Sequence, residues 1–218
     1  MDIVPNRFPP AKVGTTGNKR DLGTFLLSAV LFLLELVAII LIVFFIIRLF
    51  VLQPFTVVGS SMYDTLEEGQ EVYANILSYK FKDPMRGDIV VLVPPQETDR
   101  YLVKRIVGLP GDRLEIRGDG QVIIYNTEYP NGIALREEYL DNPASTEGYV
   151  VERLSTDEYF VMGDNRQHSS DSRGNITADN SGTATAWTLP KRNIVGRVIA
   201  RVKPFSKMGL FPSPHYNL

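Results

Sequence analysis

The apolar residues of this chain are unevenly distributed, and one segment near the N-terminus is almost entirely hydrophobic. From Thr24 to Ile47 the sequence reads TFLLSAVLFLLELVAIILIVFFII, 24 residues with a single charged side chain, Glu35. At about 1.5 Å per residue, a helix of this length covers the roughly 30 Å hydrocarbon core of a bilayer. A buried helix of a soluble protein rarely runs this far without a polar face. The pattern therefore predicts a transmembrane helix at residues 24–48.

The residues that flank this segment indicate that it is retained, and they predict its orientation. A cleaved secretory signal has a shorter apolar run, of about 7 to 15 residues, and small residues at the cut site. Here the apolar run is followed by the bulky sequence RLFVLQPF. Residues 1–23 carry four basic side chains and two acidic ones, whereas only Arg48 closely follows the segment. By the positive-inside rule we expect a single-pass cell-membrane protein with a cytoplasmic tail at 1–23 and an extracytoplasmic domain at 53–218.

After the apolar segment, the pattern changes to short runs of β-branched and aromatic residues separated by Gly, Pro, Asp and Asn. Such runs are typical of strands joined by turns, and they read EVYANI, DIVVLV, YLVKRIVG, RLEIRG, QVIIYN and EYFVMG. Long amphipathic helical periodicity is missing from this part of the sequence. The fold class is therefore mainly β: one N-terminal transmembrane helix followed by an antiparallel β-rich domain. We expect a hinge near Gln53 and Pro54 and inserted polar loops at 129–148 and 174–186.

The composition and net charge argue against several classes of function. The chain has no cysteine, which excludes a thiol nucleophile, and only two histidines, so a histidine-based metal site is not expected. A net charge of −2 does not indicate a nucleic-acid-binding surface. Glu35 lies near the bilayer centre, where we expect it to be protonated or to face a neighbouring helix. A transport function is not favoured, because no second charge lies within the apolar segment.

Two polar segments contain a candidate nucleophile and a candidate base, although each also has a structural explanation. VVGSSMYDTL places Ser60 and Ser61 after Gly59, and adjacent serines in a turn most often cap backbone groups. In YLVKRIVGLPGD, strand alternation puts Lys104 on the apolar face. Desolvation there lowers the pKa of a lysine towards the range in which a neutral amine accepts a proton. A lysine at a strand edge would instead extend its amine into solvent.

A third segment, MGDNRQHSSDSR at residues 162–173, has a high density of polar groups after an apolar strand. An ion pair between Asp171 and Arg173 would hold this loop, although a solvated loop has a similar composition. His168 lies close to Asp171 in the sequence, which raises the alternative of a Ser-His-Asp arrangement. Such a triad is assembled in space, so adjacency in the sequence is weak support for it.

Taken in order, these segments resemble those of bacterial type I signal peptidases, the Ser-Lys proteases of the leader peptidase family. VVGSSMYDTL resembles the nucleophile box, RGDIVVLVPP a strand box and YLVKRIVGLPGD the box of the lysine base, while MGDNRQHSSDSR resembles the GDNRxNSxDSR signature. The resemblance covers roughly residues 24–206. This chain departs from the family pattern at Asp64, where the family usually has Pro, and at Gln167 and His168. The loop before Trp187 is also longer.

The resemblance implies a signal peptidase I, a serine endopeptidase whose partners are exported preproteins and membrane lipid. It implies that Ser61, rather than Ser60, is the nucleophile and that Lys104 is the general base. Ser169 would orient the lysine. The backbone N–H of Ser61, together with the backbone at Gly59, would stabilise the oxyanion.

The resemblance also assigns scaffold and substrate-binding roles. Asp164, Asp171 and Arg173 would form the scaffold of the polar loop. Shallow pockets near Val57 and Val58 would admit only small side chains at the first and third positions before the cut, an Ala-x-Ala preference. No metal, cofactor or nucleic acid is expected as a partner.

Two functions from other classes remain as alternatives at this point. A non-catalytic, membrane-tethered β domain that binds a partner protein would keep the anchor and the strands, but it has no need for the serine and lysine boxes. A self-cleaving repressor with Ser-Lys chemistry would require a DNA-binding helix-turn-helix and no membrane segment. The sequence has the opposite combination.

Overall fold

The structure, a computed structural model, describes residues 22–63, 65–95, 97, 99–140, 148–175, 187–212 and 216. The chain divides into two compact units, Met1–Phe45 and Ile46–Leu218. The tail at 1–23 lies outside the described residues apart from its last two, and so does the loop at 174–186 beyond its first two.

The first described element is the long apolar helix α1, Leu22–Phe50. Its side chains from residue 22 to residue 47 are exposed on every side of the helix. Within the described part of the chain, the span Leu22–Arg48 is the one helical stretch that is long and apolar enough to cross a membrane. An apolar surface on all sides of a helix is stable in lipid but not in water. The helix predicted at 24–48 is therefore present.

The remainder of the described chain is β-rich. Its elements, in chain order, are β1 (Leu52–Thr56), β2 (Glu71–Asn75), the short helix α2 (Ser78–Phe81), β3 (Ile89–Leu92), β4 (Leu102–Gly108), β5 (Arg113–Ile116), β6 (Val122–Tyr125), β7 (Ile133–Ala134), β8 (Tyr149–Val151), β9 (Glu158–Met162), β10 (Ser170–Asp171), β11 (Gly174–Asn175), β12 (Leu189–Pro190), β13 (Ile194–Lys203) and β14 (Gly209–Leu210). All six sequence runs that predicted strands contain one, which confirms a mainly β fold.

These strands form two larger antiparallel sheets and a small hairpin. The first sheet has the order β1-β2-β13-β3-β4-β9-β12, with β14 paired to β13. The second has the order β7-β6-β5-β8, and β10 pairs with β11. Strand β3 reads Ile-Val-Val-Leu and is buried at all four positions, because apolar side chains cover both of its faces.

The longest strand, β13, was not among the runs that the sequence singles out. Only two of its ten positions are buried, and Arg197, Arg201 and Lys203 interrupt its apolar pattern. It nevertheless joins β2 to β3 at the centre of the first sheet. A Cβ at Gly196 would lie 2.8 Å from the Asn75 carbonyl oxygen, so the close approach of these strands requires glycine.

Two expectations about loops differ from the structure. Gln53 and Pro54, where a hinge is expected, lie inside the paired strand β1. The segment 129–148, expected to be an inserted polar loop, contributes β7 to the second sheet and buries Leu135 in its core. Apolar residues are sparse in this segment, but those that are present pack inward. Residues 141–147 lie outside the described part of the chain.

Candidate active site

Ser61 lies in the turn that follows β1, and apolar residues on both sides of it fix this turn to the core. Val57, Met62 and Leu66 are buried in one cluster with the first sheet. Between them, Gly59 has a φ of +84°, a left-handed conformation that glycine adopts without steric cost. The chain is therefore held at the surface here, and Ser61 is only half-buried.

Lys104 extends from β4, at a position that pairs with Val90 of β3. Its side chain is among the largest that are fully buried, with an exposure of 1% for the residue. The Nζ atom lies at a hydrogen-bonding distance of 2.7 Å from the Ser61 Oγ. It also donates to the carbonyl oxygen of Val103 at 2.9 Å. The fold thus brings together a serine and a lysine that are 43 residues apart in the sequence.

The environment of Lys104 favours its neutral form. Burial lowers the pKa of this lysine to about 8 from an ordinary value of 10.5, although the nearby charge of Asp171 acts in the opposite direction. The N–H donated to Val103 leaves the nitrogen lone pair of the neutral amine free to accept a proton from the Ser61 hydroxyl. The arrangement can therefore activate a serine.

The polar loop after β9 is held by an ion pair beneath the site. Arg173 donates from Nε and Nη2 to the two carboxylate oxygens of Asp171, at 2.9 and 2.8 Å. The N–H of Gly163 donates to the same carboxylate at 2.9 Å. Burial alone would raise the pKa of Asp171, but the hydrogen bonds and charge of Arg173 outweigh it and lower the pKa. The predicted ion pair is present and Asp171 is an anion.

A second buried ion pair joins this loop to β4. Asp164 accepts two hydrogen bonds from Arg105, from Nε at 2.9 Å and from Nη2 at 2.7 Å. Thr65, in the turn of the candidate nucleophile, also donates its hydroxyl to Asp164 at 2.5 Å. Asp164 therefore connects the lysine strand to the serine turn.

The next residue of the loop contacts the backbone of the serine turn directly. The N–H of Asn165 donates to the carbonyl oxygen of Ser61 at 3.0 Å, and its side-chain amide donates to the carbonyl of Ser60 at 3.1 Å. Side-chain and backbone contacts from one loop thus fix both serines. The side chain of Ser60 is exposed, and it is the Ser61 hydroxyl that reaches the lysine.

Ser169 is in the predicted region but does not make the predicted contact. The residue is fully buried; its Oγ helps to lower the pKa of Asp171, but it makes no hydrogen bond to Lys104. The hydroxyl lies against Gly163, since a Cβ at Gly163 would be 2.2 Å from this oxygen. A hydrogen bond from Ser169 to Lys104, which its orienting role would need, is therefore not formed in this structure.

The two valines expected to border substrate pockets lie in different environments. Val57 is 6% exposed and packs in the core, whereas Val58 is 83% exposed. Of the two, only Val58 is therefore accessible at the surface of the serine turn. His168 is exposed. Within the described residues, no three His, Asp or Glu side chains are grouped as metal ligands would be.

Several residues that shape the site were not identified from the sequence. One of them is Arg105, which follows Lys104 on β4 and is 4% exposed. A buried arginine requires an acidic partner, and Asp164 fills this role here. Gly163 is a second omission, because a side chain there would collide with the Ser61 carbonyl oxygen, 2.4 Å from the position of a Cβ.

Comparison with known proteins shows which family the chain resembles. The family model for signal peptidase, peptidase S26, matches residues 30–203. Signal peptidase I of Leptolyngbya laminosa is 32% identical over 179 residues, which cover 78% of each chain. Signal peptidase I P of Bacillus subtilis subsp. natto is 36% identical over 152 residues, 66% of this chain and 78% of the relative.

Among solved structures, a signal peptidase I from Enterococcus faecalis V583 matches with a TM-score of 0.40 and 27% identity, covering 53% of this chain and 97% of that one. The family model extends over most of the chain, from within α1 to the end of β13. On this extent and on the identity to its relatives, the chain belongs to the signal peptidase family, peptidase S26.

Proposed function

We propose that this chain is a membrane-bound serine endopeptidase that removes N-terminal signal peptides from exported preproteins with a Ser61–Lys104 dyad. The observation that carries the proposal is the 2.7 Å contact between the Lys104 Nζ and the Ser61 Oγ, where the amine is almost fully withdrawn from water. Burying an amine is costly. A domain that only bound a partner would have no use for a buried lysine against a serine hydroxyl.

In the proposed acylation step, the Lys104 amine is the base and the Ser61 hydroxyl is the nucleophile. Neutral Lys104 accepts the hydroxyl proton of Ser61 while the Oγ attacks the scissile carbonyl carbon. The C–N bond then breaks, the Lys104 ammonium returns the proton to the leaving amine, and the signal peptide remains as an ester on Ser61. A pKa of about 8 suits both transfers, since the amine is a base strong enough to accept the proton and an acid strong enough to return it.

Deacylation uses the same two groups. Once the mature protein has left, Lys104 is again neutral and accepts a proton from a water molecule that attacks the ester carbonyl. Collapse of the tetrahedral intermediate breaks the bond to the Ser61 Oγ, and the Lys104 ammonium protonates that oxygen. The signal peptide is released with a free carboxylate and the dyad is restored.

Backbone N–H groups in the serine turn are the proposed oxyanion donors. Within the described residues, the N–H groups of Ser61 and Gly59 donate to no other group. Donors fixed in position and aimed at the developing negative charge contribute strongly to acyl transfer. Gly59 has no side chain to offer a hydroxyl, so at this position only the backbone can contribute.

We propose that the peptide binds in an extended conformation beside the serine turn, with small residues at the first and third positions before the cut. The exposed side chain of Val58 supports contact at this point. Val57 would act indirectly, by fixing the turn to the core. Ser169 would orient the lysine only after a small movement of its hydroxyl away from Gly163.

The anchor gives the reaction an advantage of proximity. A preprotein is held at the membrane by its own apolar segment, so tethering the enzyme to the same membrane raises their effective concentration. We propose that α1 crosses the membrane with residues 1–23 in the cytoplasm and residues 53–218 on the opposite side, in contact with lipid at the membrane surface.

The proposal is tested by cleavage of a purified preprotein with full-length enzyme in detergent. Replacing either dyad residue, Ser61→Ala or Lys104→Ala, should lower kcat/KM by at least about 1000-fold, because the two act as a unit. The N-terminus of the product, read by mass spectrometry, should follow an Ala-x-Ala type sequence.

Two further variants test the alternatives within the same assay. Ser60→Ala and His168→Ala should cleave at close to the wild-type rate, since neither side chain is part of the proposed dyad. Loss of activity in His168→Ala would favour a histidine base instead. Normal cleavage by Ser61→Ala would exclude the dyad as the source of the activity, whereas a wild type that does not cleave the preprotein would favour the partner-binding alternative.

A further inference from the structure

The aromatic ring of Tyr139 covers the face of Arg105, in the segment that the sequence presents as a polar insertion. The Arg105 Cζ lies 3.8 Å from the centre of the ring. The edges of the same guanidinium are already occupied, by the bidentate pair with Asp164 and by a hydrogen bond to the carbonyl oxygen of Gly87 at 2.9 Å. Tyr139 therefore covers one face of Arg105, while the in-plane hydrogen bonds fix the plane of its guanidinium.

A second arginine is held by the same short segment. Arg166 is bound by the carboxylate of Glu137, with a hydrogen bond from Nη1 at 2.9 Å and a shorter contact from Nη2. The Tyr139 hydroxyl donates to the same carboxylate at 2.5 Å. The Arg166 Nε donates to the carbonyl of Gly163 at 3.2 Å. Glu137 and Tyr139, two residues apart, thus hold both arginines.

The charges in this cluster balance. Arg105 and Arg166 are opposed by Asp164 and Glu137, and all four side chains are at most 6% exposed. Burial raises the pKa of Tyr139 well above its usual value, so its hydroxyl stays protonated and remains a donor. Buried charges of this kind are tolerated only when every partner is in place.

The cluster acts directly on the turn that carries the candidate nucleophile. The three loop residues at 163–165 connect the two arginines to the serine turn: Asp164 accepts from Thr65, and Asn165 donates to the Ser61 carbonyl oxygen. A shift of either arginine is therefore transmitted to the position of the Ser61 Oγ. Misplacement of reacting atoms by about 1 Å costs on the order of 100-fold in rate.

We infer that Tyr139 and Glu137 are positioning residues, which hold Arg105 and Arg166 so that the loop at 163–166 keeps Ser61 within reach of Lys104. This inference rests on the proposed dyad and extends it to a segment outside the sequence boxes. Neither residue touches the dyad, so their effect on the reaction passes through the two arginines.

The test compares two changes at Tyr139 with a matched change elsewhere. Tyr139→Leu removes the ring from Arg105, whereas Tyr139→Phe keeps the ring and removes only the hydroxyl. Tyr149→Leu is the control, because Tyr149 is also half-buried and packs on Phe160 in the core of the second sheet, away from the arginines. Each full-length variant is assayed on a preprotein in detergent, with the folded fraction measured by thermal unfolding.

We expect Tyr139→Leu to lower kcat about tenfold to thirtyfold with KM within about twofold of the wild type, as loss of a buried cation–π contact would. Tyr139→Phe should recover most of this loss. Tyr149→Leu should lower the unfolding temperature while its kcat per folded molecule stays unchanged. Equal kcat values for Tyr139→Leu and Tyr149→Leu would overturn the inference.

Two additional variants keep the result decisive. If Tyr139→Leu does not fold, Glu137→Gln is measured in its place, and a wild-type kcat for that variant would overturn the inference. Ser61→Ala is included in every series. An inactive Ser61→Ala beside a fully active Tyr139→Leu refutes only the positioning role, whereas an active Ser61→Ala refutes the dyad itself.

Discussion

If the proposed dyad is correct, the almost fully buried Lys104 should make the reaction depend on pH through one group. Burial lowers the pKa of Lys104 to about 8, so the amine is mostly charged below that pH and mostly neutral above it. Only the neutral amine can accept the Ser61 proton. We therefore expect kcat/KM to rise with pH and to level off above about pH 8. A series of initial rates from pH 6 to pH 10 measures this, and a rise controlled by a group with a pKa near 10.5 would contradict it.

The burial of Lys104 also lowers the free energy of unfolding, and the size of this effect depends on pH. The folded-state pKa of about 8 is below the ordinary 10.5, so between these values the unfolded chain binds the proton more readily. The penalty is complete below about pH 8 and disappears as the pH rises towards about 10.5. Lys104→Met should therefore be inactive but more stable at pH 7, by roughly 2 to 3 kcal/mol.

Unfolding of Lys104→Met and wild type in denaturant, at pH 7 and again at pH 10, measures this difference. The advantage of the variant should shrink at the higher pH. Ser61→Ala provides the control, because it is also expected to be inactive but keeps the buried amine. A Lys104→Met protein that is less stable than wild type at pH 7 would mean that the contacts of the lysine outweigh its desolvation.

At the scale of elements, the loop after β9 meets the serine turn so closely that its first residue must be glycine. A Cβ at Gly163 would lie 2.4 Å from the Ser61 carbonyl oxygen and 2.2 Å from the Ser169 Oγ. Gly163→Ala should therefore separate the two segments, with a loss of about 1 to 3 kcal/mol in stability and a strong fall in kcat.

Gly148 provides the matched control for this change. Among the described residues, a Cβ there would meet nothing closer than 3.7 Å, so Gly148→Ala should keep both stability and kcat near wild type. Thermal unfolding and preprotein cleavage are measured on both variants. A Gly163→Ala enzyme with normal kcat would show that the loop does not set the position of Ser61.

The strands that can be predicted from the sequence are those with an apolar, β-branched pattern of their own. Runs such as DIVVLV are apolar and β-branched at most positions, and they form the buried centre of the first sheet. Strand β13 is different, because Arg197 and Lys203 on it are paired with Asp88 and Glu71. These partners lie far away in the sequence, so the local pattern of β13 reads as polar although the strand is central.

The same distinction applies to the candidate site. Ser61 and Lys104 are carried by compact motifs, and the fold places them in contact. Tyr139 and Glu137 carry no local signal, because their importance comes from arginines 27 to 34 residues away. The position of the Ser169 hydroxyl also could not be predicted from the sequence, because it depends on how closely the loop packs at Gly163.

At the scale of the whole molecule, the orientation of the chain in the membrane can be tested because the sequence contains no cysteine. Single substitutions therefore give unique labelling sites. Glu152 is exposed in the β-rich unit and Lys12 lies in the basic N-terminal tail. If the basic residues of the tail hold it in the cytoplasm, the two positions are on opposite sides of the bilayer.

A membrane-impermeant maleimide should label Glu152→Cys in cells whose outer layers have been opened but whose cytoplasmic membrane is intact. It should label Lys12→Cys only after detergent permeabilises that membrane. The cysteine-free wild type measures background labelling, and preprotein cleavage by each variant shows that the fold is retained. Labelling of Lys12→Cys without detergent, together with protection of Glu152→Cys, would reverse the orientation. The proposed dyad would then lie on the cytoplasmic side, where exported preproteins have not yet crossed, and tethering beside the translocated substrate could no longer explain the role of the anchor.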